Sequence, residues 1–502
     1  MATIIKTVAA DTAVRARVEE LTLDKTSFYD LAEHFCERPE FALLDSRTHD
    51  HGLGRCSIMS FAPFARIVSK HGRTCVTEDG DATWTNQSAF TALRTMLARY
   101  QIFQGFGCED VSFLGGGIGY FGYELGRQLE RLPATTKDEL GTPDCYLNFY
   151  NFAIVLSHES GKVFLSHFQP EAAAAAMSRE EVLDEIYKAP AGVYEQVQAK
   201  YSRKVDLSVG NDFTEETYSQ AVRRILDYIF AGDVYQVNLT QRFQIDLSGT
   251  RPWQVFKHLM DLNPAPFAAY LNFENQTVVS SSPERFLFVR GRYVETRPIK
   301  GTVKRHSTPA EDAANRQWLF QSEKNRAELA MIVDLMRNDL GRCCRPGSVR
   351  VRAFPELESY ASVHHLVATI TGELAPGQSV VDLVKATFPG GSITGAPKIR
   401  AMEIIDELEP VTRGIYTGSI GYLGFNSVSD LNIAIRTIVI QHDKAYLHAG
   451  GGIVADSEEQ SEYEESLVKA SKLIEAVKRA CGDTGESKRV RRSQTTPIRA
   501  VV

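Results

Sequence analysis

At 502 residues, the chain has the length of two domains or of one large interleaved α/β unit. Its 43% hydrophobic and 24% charged residues are an ordinary globular composition, and a formal charge of -7 argues against nucleic acid as the main partner, because phosphate binding wants a basic surface. No apolar run approaches the roughly 18 residues needed to cross a bilayer, the opening Met1–Lys6 stretch has no export pattern, and eight cysteines without metal spacing fit a reducing cytoplasm.

In chain order, Phe41-Ala42-Leu43-Leu44-Asp45-Ser46 predicts a strand ending in a polar edge. Gly117-Ile118-Gly119-Tyr120-Phe121-Gly122 matches a dinucleotide-loop pattern, but the acids that follow, Asp138 and Glu139, sit in a loop rather than after a second strand. A glycine-rich strand is favoured over a nicotinamide-binding fold. The alanines at 172–176 predict a surface helix. A break at Val209-Gly210-Asn211-Asp212 precedes Thr214, which can cap a new helix, and marks a boundary between a 1–205 domain and a 213–478 domain. Beyond it, segments such as Ala268–Leu271 and Gly418–Leu423 alternate with longer amphipathic helices. The basic, aperiodic 482–502 segment predicts a disordered tail.

The residues that carry chemistry lie in the second part. Lys300 stands between Pro298 and Gly301 in Arg297-Pro298-Ile299-Lys300-Gly301-Thr302, with its backbone direction constrained on both sides. Once deprotonated, such an amine can attack an electrophilic carbon. Ser322–Ile332 reads as a helix on which Glu328 shares a face with Ile332, Leu335 and Met336, expected to be buried. Glu462, Glu465 and Lys469 form a second acidic face. Two helices that each bring carboxylates suit a hard divalent ion such as Mg²⁺. Gly390–Lys398 resembles a phosphate loop without its GK[ST] ending, and Pro397 is expected to open a helix that aims the Gly395 and Ala396 amides at a carboxylate. Arg436, Tyr416 and the Gly450-Gly451-Gly452 run are further anion donors. His365 pairs with a ring hydroxyl, or is a satisfied core histidine.

These residues, with Ser282-Pro283-Glu284-Arg285-Phe286, Asp334–Asp339, Phe388–Lys398, Ala434–Thr437 and Gly451–Glu465, resemble the chorismate-binding domain shared by anthranilate, aminodeoxychorismate, isochorismate and salicylate synthases. The resemblance implies an α/β (α+β) fold like that of anthranilate synthase component I, with two stacked β-sheets flanked by helices, and residues 20–160 resemble the N-terminal domain of that family. It implies Mg²⁺ held by Glu328 and Glu465 with Glu462 nearby, Glu284 as general acid, and His365 in the catalytic set. Substrate contacts are implied for Gln236, Asn238, Thr394, Gly395, Ala396, Lys398, Tyr416, Arg436, Gly451, Gly452 and Lys469.

Lys300 sets the branch: Pro-Ile-Lys-Gly-Thr resembles the aminodeoxychorismate-forming component I, whereas anthranilate-forming members usually carry alanine there. Isochorismate-forming members use lysine where this chain has Gln236. The implied activity is amination of chorismate at C4, feeding para-aminobenzoate and folate synthesis, with Lys300 bonded to C2 on the way. Arg297 or Lys304 is expected to depress the Lys300 pKa. One departure is Asn325, where the family usually has Asp or Glu. The resemblance also implies a glutamine amidotransferase partner, because no Gly-x-Cys-x-Gly elbow surrounds any cysteine, and it makes Gly115–Tyr123 and the nearby surface candidate partner contacts. Leu44, Ser46, Pro264 and Phe267 lie in stretches resembling the tryptophan pocket of the family. Alternatives are an anthranilate-forming enzyme and a non-catalytic chorismate- or tryptophan-binding regulator.

Overall fold

The computed structural model describes residues 15–46, 52–102, 110–170, 173–194, 207–360 and 363–483. Two 12-stranded sheets, antiparallel throughout their ladders, pack face to face with helices on the outside. The first sheet runs in the order Ala16–Leu21, Val163–Phe168, Phe152–Ser157, Cys56–Ser60, Phe41–Asp45, Phe267–Phe273, Gln276–Ser282, Thr437–Gln441, Lys444–Ile453, Gln236–Asp246 and Val209–Asn211, with Gly395–Ala396 also pairing to Gln236–Asp246. The second runs Ile299–Lys304, Val363–Glu373, Tyr293–Arg297, Arg285–Arg290, Val428–Asn432, Ser419–Gly424, Gly116–Phe121, Cys145–Tyr150, Ala65–Lys70, Arg73–Glu78 and Asp81–Thr85, with Arg350–Ser359 beside Val363–Glu373.

The Phe41–Asp45 strand shows why apolar residues here run continuously instead of alternating. Ala42 faces the core between the sheets, whereas Phe41 and Leu43 face a second core under the Lys25–Phe35, Pro252–Leu262 and Glu459–Asp483 helices. A strand covered on both faces has no polar side to present. Both sheets cross residues 205–213: Leu43 pairs with Tyr270 in the first and Gly119 with Gly421 in the second. The segments on either side of that point therefore share their cores.

Thr214 does cap the Glu215–Phe230 helix, accepting from Thr217 N, and Val209–Asn211 before it is a short strand. Gly116–Phe121 is the expected glycine-rich strand. A Cβ at Gly119 would lie 2.0 Å from the Tyr146 carbonyl oxygen, so glycine serves close strand packing there, not a phosphate. Residues 115–123 are buried, which corrects their reading as partner-facing surface. The described alanines of the 172–176 run also depart from expectation. Residues 174–176 form a turn, Ala173 and Ala176 pack into the core, and the helix starts only at Arg179, where Ser178 and Glu181 build a capping box. Of the tail, Gly482 and Asp483 close the last helix and residues 484–502 lie outside the described residues. Among the described residues, no helix is long and apolar enough to cross a membrane.

Candidate active site

Lys300 lies on the edge strand Ile299–Lys304, whose register against Val363–Glu373 slips between Ile299 and Thr302. Such a bulge re-aims the side chains at its centre. Gly301 makes it possible, with φ of +78°, and a Cβ there would stand 2.9 Å from both Asn325 Cγ and Leu319 Cδ1. Gly301→Ala therefore combines a left-handed alanine, which costs roughly 1–2 kcal/mol, with a clash. We expect a lower midpoint in urea and weakened turnover; a variant with unchanged stability would show that the bulge is not needed.

Lys300 is half-buried and makes no hydrogen bond or ion pair among the described residues. Burial pushes its amine below the ordinary lysine pKa, and Lys469 adds to this, while Glu328, Glu284 and Glu465 oppose it. The depressing cation is thus Lys469, contributed by the last helix. Arg297 is instead paired with Glu358, and Lys304 is exposed at the end of the strand.

Glu284 sits at the corner between Gln276–Ser282 and Arg285–Arg290, 5% exposed. Burial pushes its carboxyl up to about 7, against the Ser392 hydroxyl that donates to Oε1 at 2.6 Å and the nearby Lys300 charge. A carboxyl poised there holds a proton that it can give away near neutral pH. Ser392 was not anticipated; its signal was the Gly390-Gly391 pair before it. A Cβ at Gly391 would come 2.4 Å from Leu335 Cδ2, so this run presses directly on the Glu323–Gly341 helix.

Arg436, at a positive φ of 52°, is half-buried and has no carboxylate partner among the described residues. Desolvation lowers its pKa to about 10, and among the described residues its guanidinium donates to Asn263 Oδ1 at 3.4 Å. A partly buried cation without a carboxylate partner is a receptor for an anionic ligand. His365, whose Nδ1 is 2.8 Å from Thr302 Oγ1, is driven down to about 3 by burial and by Arg436, so its imidazole is neutral. Lys472, which sequence reasoning passed over, is likewise depressed by burial with Arg436 and Lys304 adding. It lies one helical turn beyond Lys469, a spacing that could have flagged it.

Three segments around this end are tied by Arg413, 1% exposed. It donates to the carbonyls of Asn238 (2.8 Å) and Ile393 (3.1 Å), to Thr417 Oγ1 (3.3 Å), and through two nitrogens to Glu409 (2.6 and 2.9 Å). Removing one partner of a buried pair strands the other charge, so Arg413→Leu should lower stability by about 3–5 kcal/mol in denaturant unfolding. A loss under about 1 kcal/mol would contradict this.

Gly451 and Gly452 bring the Lys444–Ile453 strand against two groups. A Cβ at Gly451 would lie 3.0 Å from Glu462 Oε2 and 3.6 Å from Lys469 Nζ; one at Gly452 would lie 2.4 Å from Gln236 Nε2 and 3.2 Å from Asn238 Oδ1. Both amide atoms of Gln236 are buried without a hydrogen-bond partner. Other expected contacts are placed differently. Gly395–Ala396 is a two-residue strand paired with Val237 and Gln236, and Pro397 is the N-cap of the Lys398–Leu408 helix, so their amides are not helix-terminal anion donors. Thr394 is fully buried, its carbonyl accepting from Asn238 N. Lys398 is engaged by Asp339 at 2.6 Å and the Thr387 carbonyl at 2.8 Å, which makes it a structural residue. Tyr416, by contrast, is not claimed by another charged group among the described residues: it is buried with its ring stacked on His448 at 5.2 Å.

Glu328, Glu465 and Glu462 approach from the Glu323–Gly341 and Glu459–Asp483 helices. Burial raises the Glu462 carboxyl, with Glu465 adding to it against the 2.6 Å hydroxyl of Ser457. Against partial desolvation, Lys469 (2.6 Å), Lys324 and Lys300 hold the exposed Glu465 below the usual carboxylate value. Among the described residues no three acidic, His or Cys side chains form a closed cage. The donor set is hard, anionic and incomplete, which fits Mg²⁺ sharing its shell with a substrate carboxylate. Asn325 is turned to the Ser322 hydroxyl at 2.9 Å and packs over Gly301.

Leu44 and Phe267 line one cavity of about 420 Å³ between the sheets, together with Pro266; Ser46 is buried beside it, its N–H bonded to Asp45 and Ser57, and Pro264 is half-buried outside its walls.

Comparison with known proteins agrees with this geometry. The model of the chorismate binding enzyme family matches residues 39–475. Aminodeoxychorismate synthase component 1 of Escherichia coli is 39% identical over 459 residues, covering 90% of this chain and 97% of the relative. Anthranilate synthase component 1 of Acetivibrio thermocellus is 35% identical, covering 95% and 98%. The crystal structure of anthranilate synthase component I from Streptococcus pneumoniae superposes with a TM-score of 0.72 at 32% identity, over 84% of this chain and 92% of that one.

Proposed function

This chain belongs to the chorismate binding enzyme family, and on that premise we propose that it aminates chorismate at C4 to give 4-amino-4-deoxychorismate, as the first component of a para-aminobenzoate pathway enzyme. Overall identity does not separate this activity from anthranilate formation, since relatives of both names lie within 35–40%. The observation that carries the reading is Lys300: a half-buried amine with depressed pKa and no ion-pair partner, set on a bulge beside a protonatable Glu284.

In this reading Arg436 and Lys472 hold carboxylate groups of the substrate, and His365 and Tyr416 border its ring. Neutral Lys300 adds to C2, the double bonds shift, and the C4–O bond breaks as Glu284 passes its proton to the hydroxyl, releasing water. Ammonia then adds to C4, the double bonds shift back, and the C2–N bond breaks to return the amine. The new ammonium group gives one proton to the Glu284 carboxylate, which restores the acid. A C2 already occupied by Lys300 sends the nitrogen to C4. Magnesium, held by Glu328 and Glu465 with Glu462 beside them, would supply Lewis-acid polarisation of the ring carboxylate. The name component 1 of the Escherichia coli relative supports a separate ammonia-supplying amidotransferase as partner.

Incubating the purified chain with chorismate, magnesium and an ammonium salt should yield 4-amino-4-deoxychorismate, and chelation of the metal should stop it. Fluorescent anthranilate would assign the other branch. Chorismate binding without turnover would make the chain a regulator.

A further inference from the structure

A second built polar site lies behind Tyr416. Lys70, Asp138, Thr142, Gly414, Tyr416 and His448 are among the walls of a cavity with room for one molecule of water size. Two of its wall groups, His448 Nε2 and Thr142 Oγ1, are buried without a hydrogen-bond partner, and their residues are 7% and 4% exposed. Unpaired buried polar atoms cost free energy that a small hydrogen-bonding occupant would recover.

The position of the cavity selects the occupant. Its outer side is closed by the half-buried Lys70–Asp138 ion pair at 2.6 Å, and one wall is formed by Tyr416, which in the amination reading borders the substrate ring. Burial, with Arg242 and Arg413 adding, keeps the His448 ring neutral. Lys70, Arg242 and Arg413 are each paired with a carboxylate (Asp138, Glu139 and Glu409), so the wall carries little net charge and, with a neutral imidazole, suits a neutral occupant; ammonia can donate to or accept from either ring tautomer. We propose that this cavity holds one ammonia molecule on its way to chorismate, hydrogen-bonded by His448 and Thr142. The inference rests on the amination reading above.

The test is steady-state kinetics of the full chain with ammonium chloride as nitrogen source at fixed pH. Thr142→Val, which keeps the shape and removes the hydroxyl, and His448→Leu should each raise KM for ammonia about tenfold, the worth of one good hydrogen bond. KM for chorismate and kcat at saturating ammonia should stay at their parental values, and His448→Gln should recover most of the loss. An unchanged KM for ammonia in Thr142→Val would overturn the proposal and leave a bound water as the occupant. A parallel rise in KM for chorismate would overturn it in favour of packing through Tyr416. Failure of the parent chain to form any aminated product would instead reject the amination reading, and the ammonia site with it.

Discussion

Lys300→Ala should reduce formation of 4-amino-4-deoxychorismate by roughly three orders of magnitude, equivalent to about 4 kcal/mol of barrier. The substitution leaves the bulge and Gly301 intact, so thermal stability should change little. It removes an amine with a depressed pKa and no ion-pair partner among the described residues; of the other lysines here, Lys469 is engaged by Glu465 at 2.6 Å and by the Gly450 carbonyl at 2.9 Å, and Lys472, also depressed, is assigned to a substrate carboxylate. Without a nucleophile at C2, ammonia is free to attack there, and traces of anthranilate should replace the lost product. Full activity in Lys300→Ala would mean that ammonia reaches C4 directly.

Glu284→Gln should lower kcat by roughly 10²–10⁴, the usual contribution of a positioned general acid. The sign of the pH dependence follows from the two groups. Glu284 acts in its protonated form, which is present below about 7, so activity falls as pH rises through that value. Lys300 acts unprotonated, so its depressed pKa sets the acid limb, where activity rises with pH. The parent chain should show a bell, and Glu284→Gln should lose its alkaline limb while keeping the acid one. Glutamine still accepts from the Ser392 hydroxyl, so the fold of the corner is preserved. An unchanged alkaline limb would remove Glu284 from the proton transfer.

Much of this site was legible in short stretches of sequence. Lys300 is framed by proline and glycine, Glu328 rides a helix whose apolar face is visible in Ile332 and Met336, and Thr214 announces its helix by its own cap. What could not be read was set by contacts distant in sequence. Pro397 reads as helix-opening, yet its place at the N-cap follows from the pairing of Ala396 with Gln236, 160 positions earlier in the chain. Lys398 looked like an anion donor until Asp339, on another helix, claimed it. Ser392 gains its meaning only from Glu284, and Arg413 only from the Asn238 and Ile393 carbonyls that it joins. The alanine run failed for a local reason: Ser178 and Glu181 start the helix beyond it, and burial holds Ala173 and Ala176 in a turn. Arg297, which stands three positions before Lys300, is drawn away by Glu358.

Peptide mass spectrometry of the chain quenched after mixing with chorismate and magnesium, with ammonia withheld, puts the nucleophile itself on trial. A mass increase equal to chorismate less one water, carried by the peptide containing Lys300 and discharged when ammonia is added, is the expected result. A chain that turns chorismate over yet never carries that mass, or carries it on a different residue, would contradict the account.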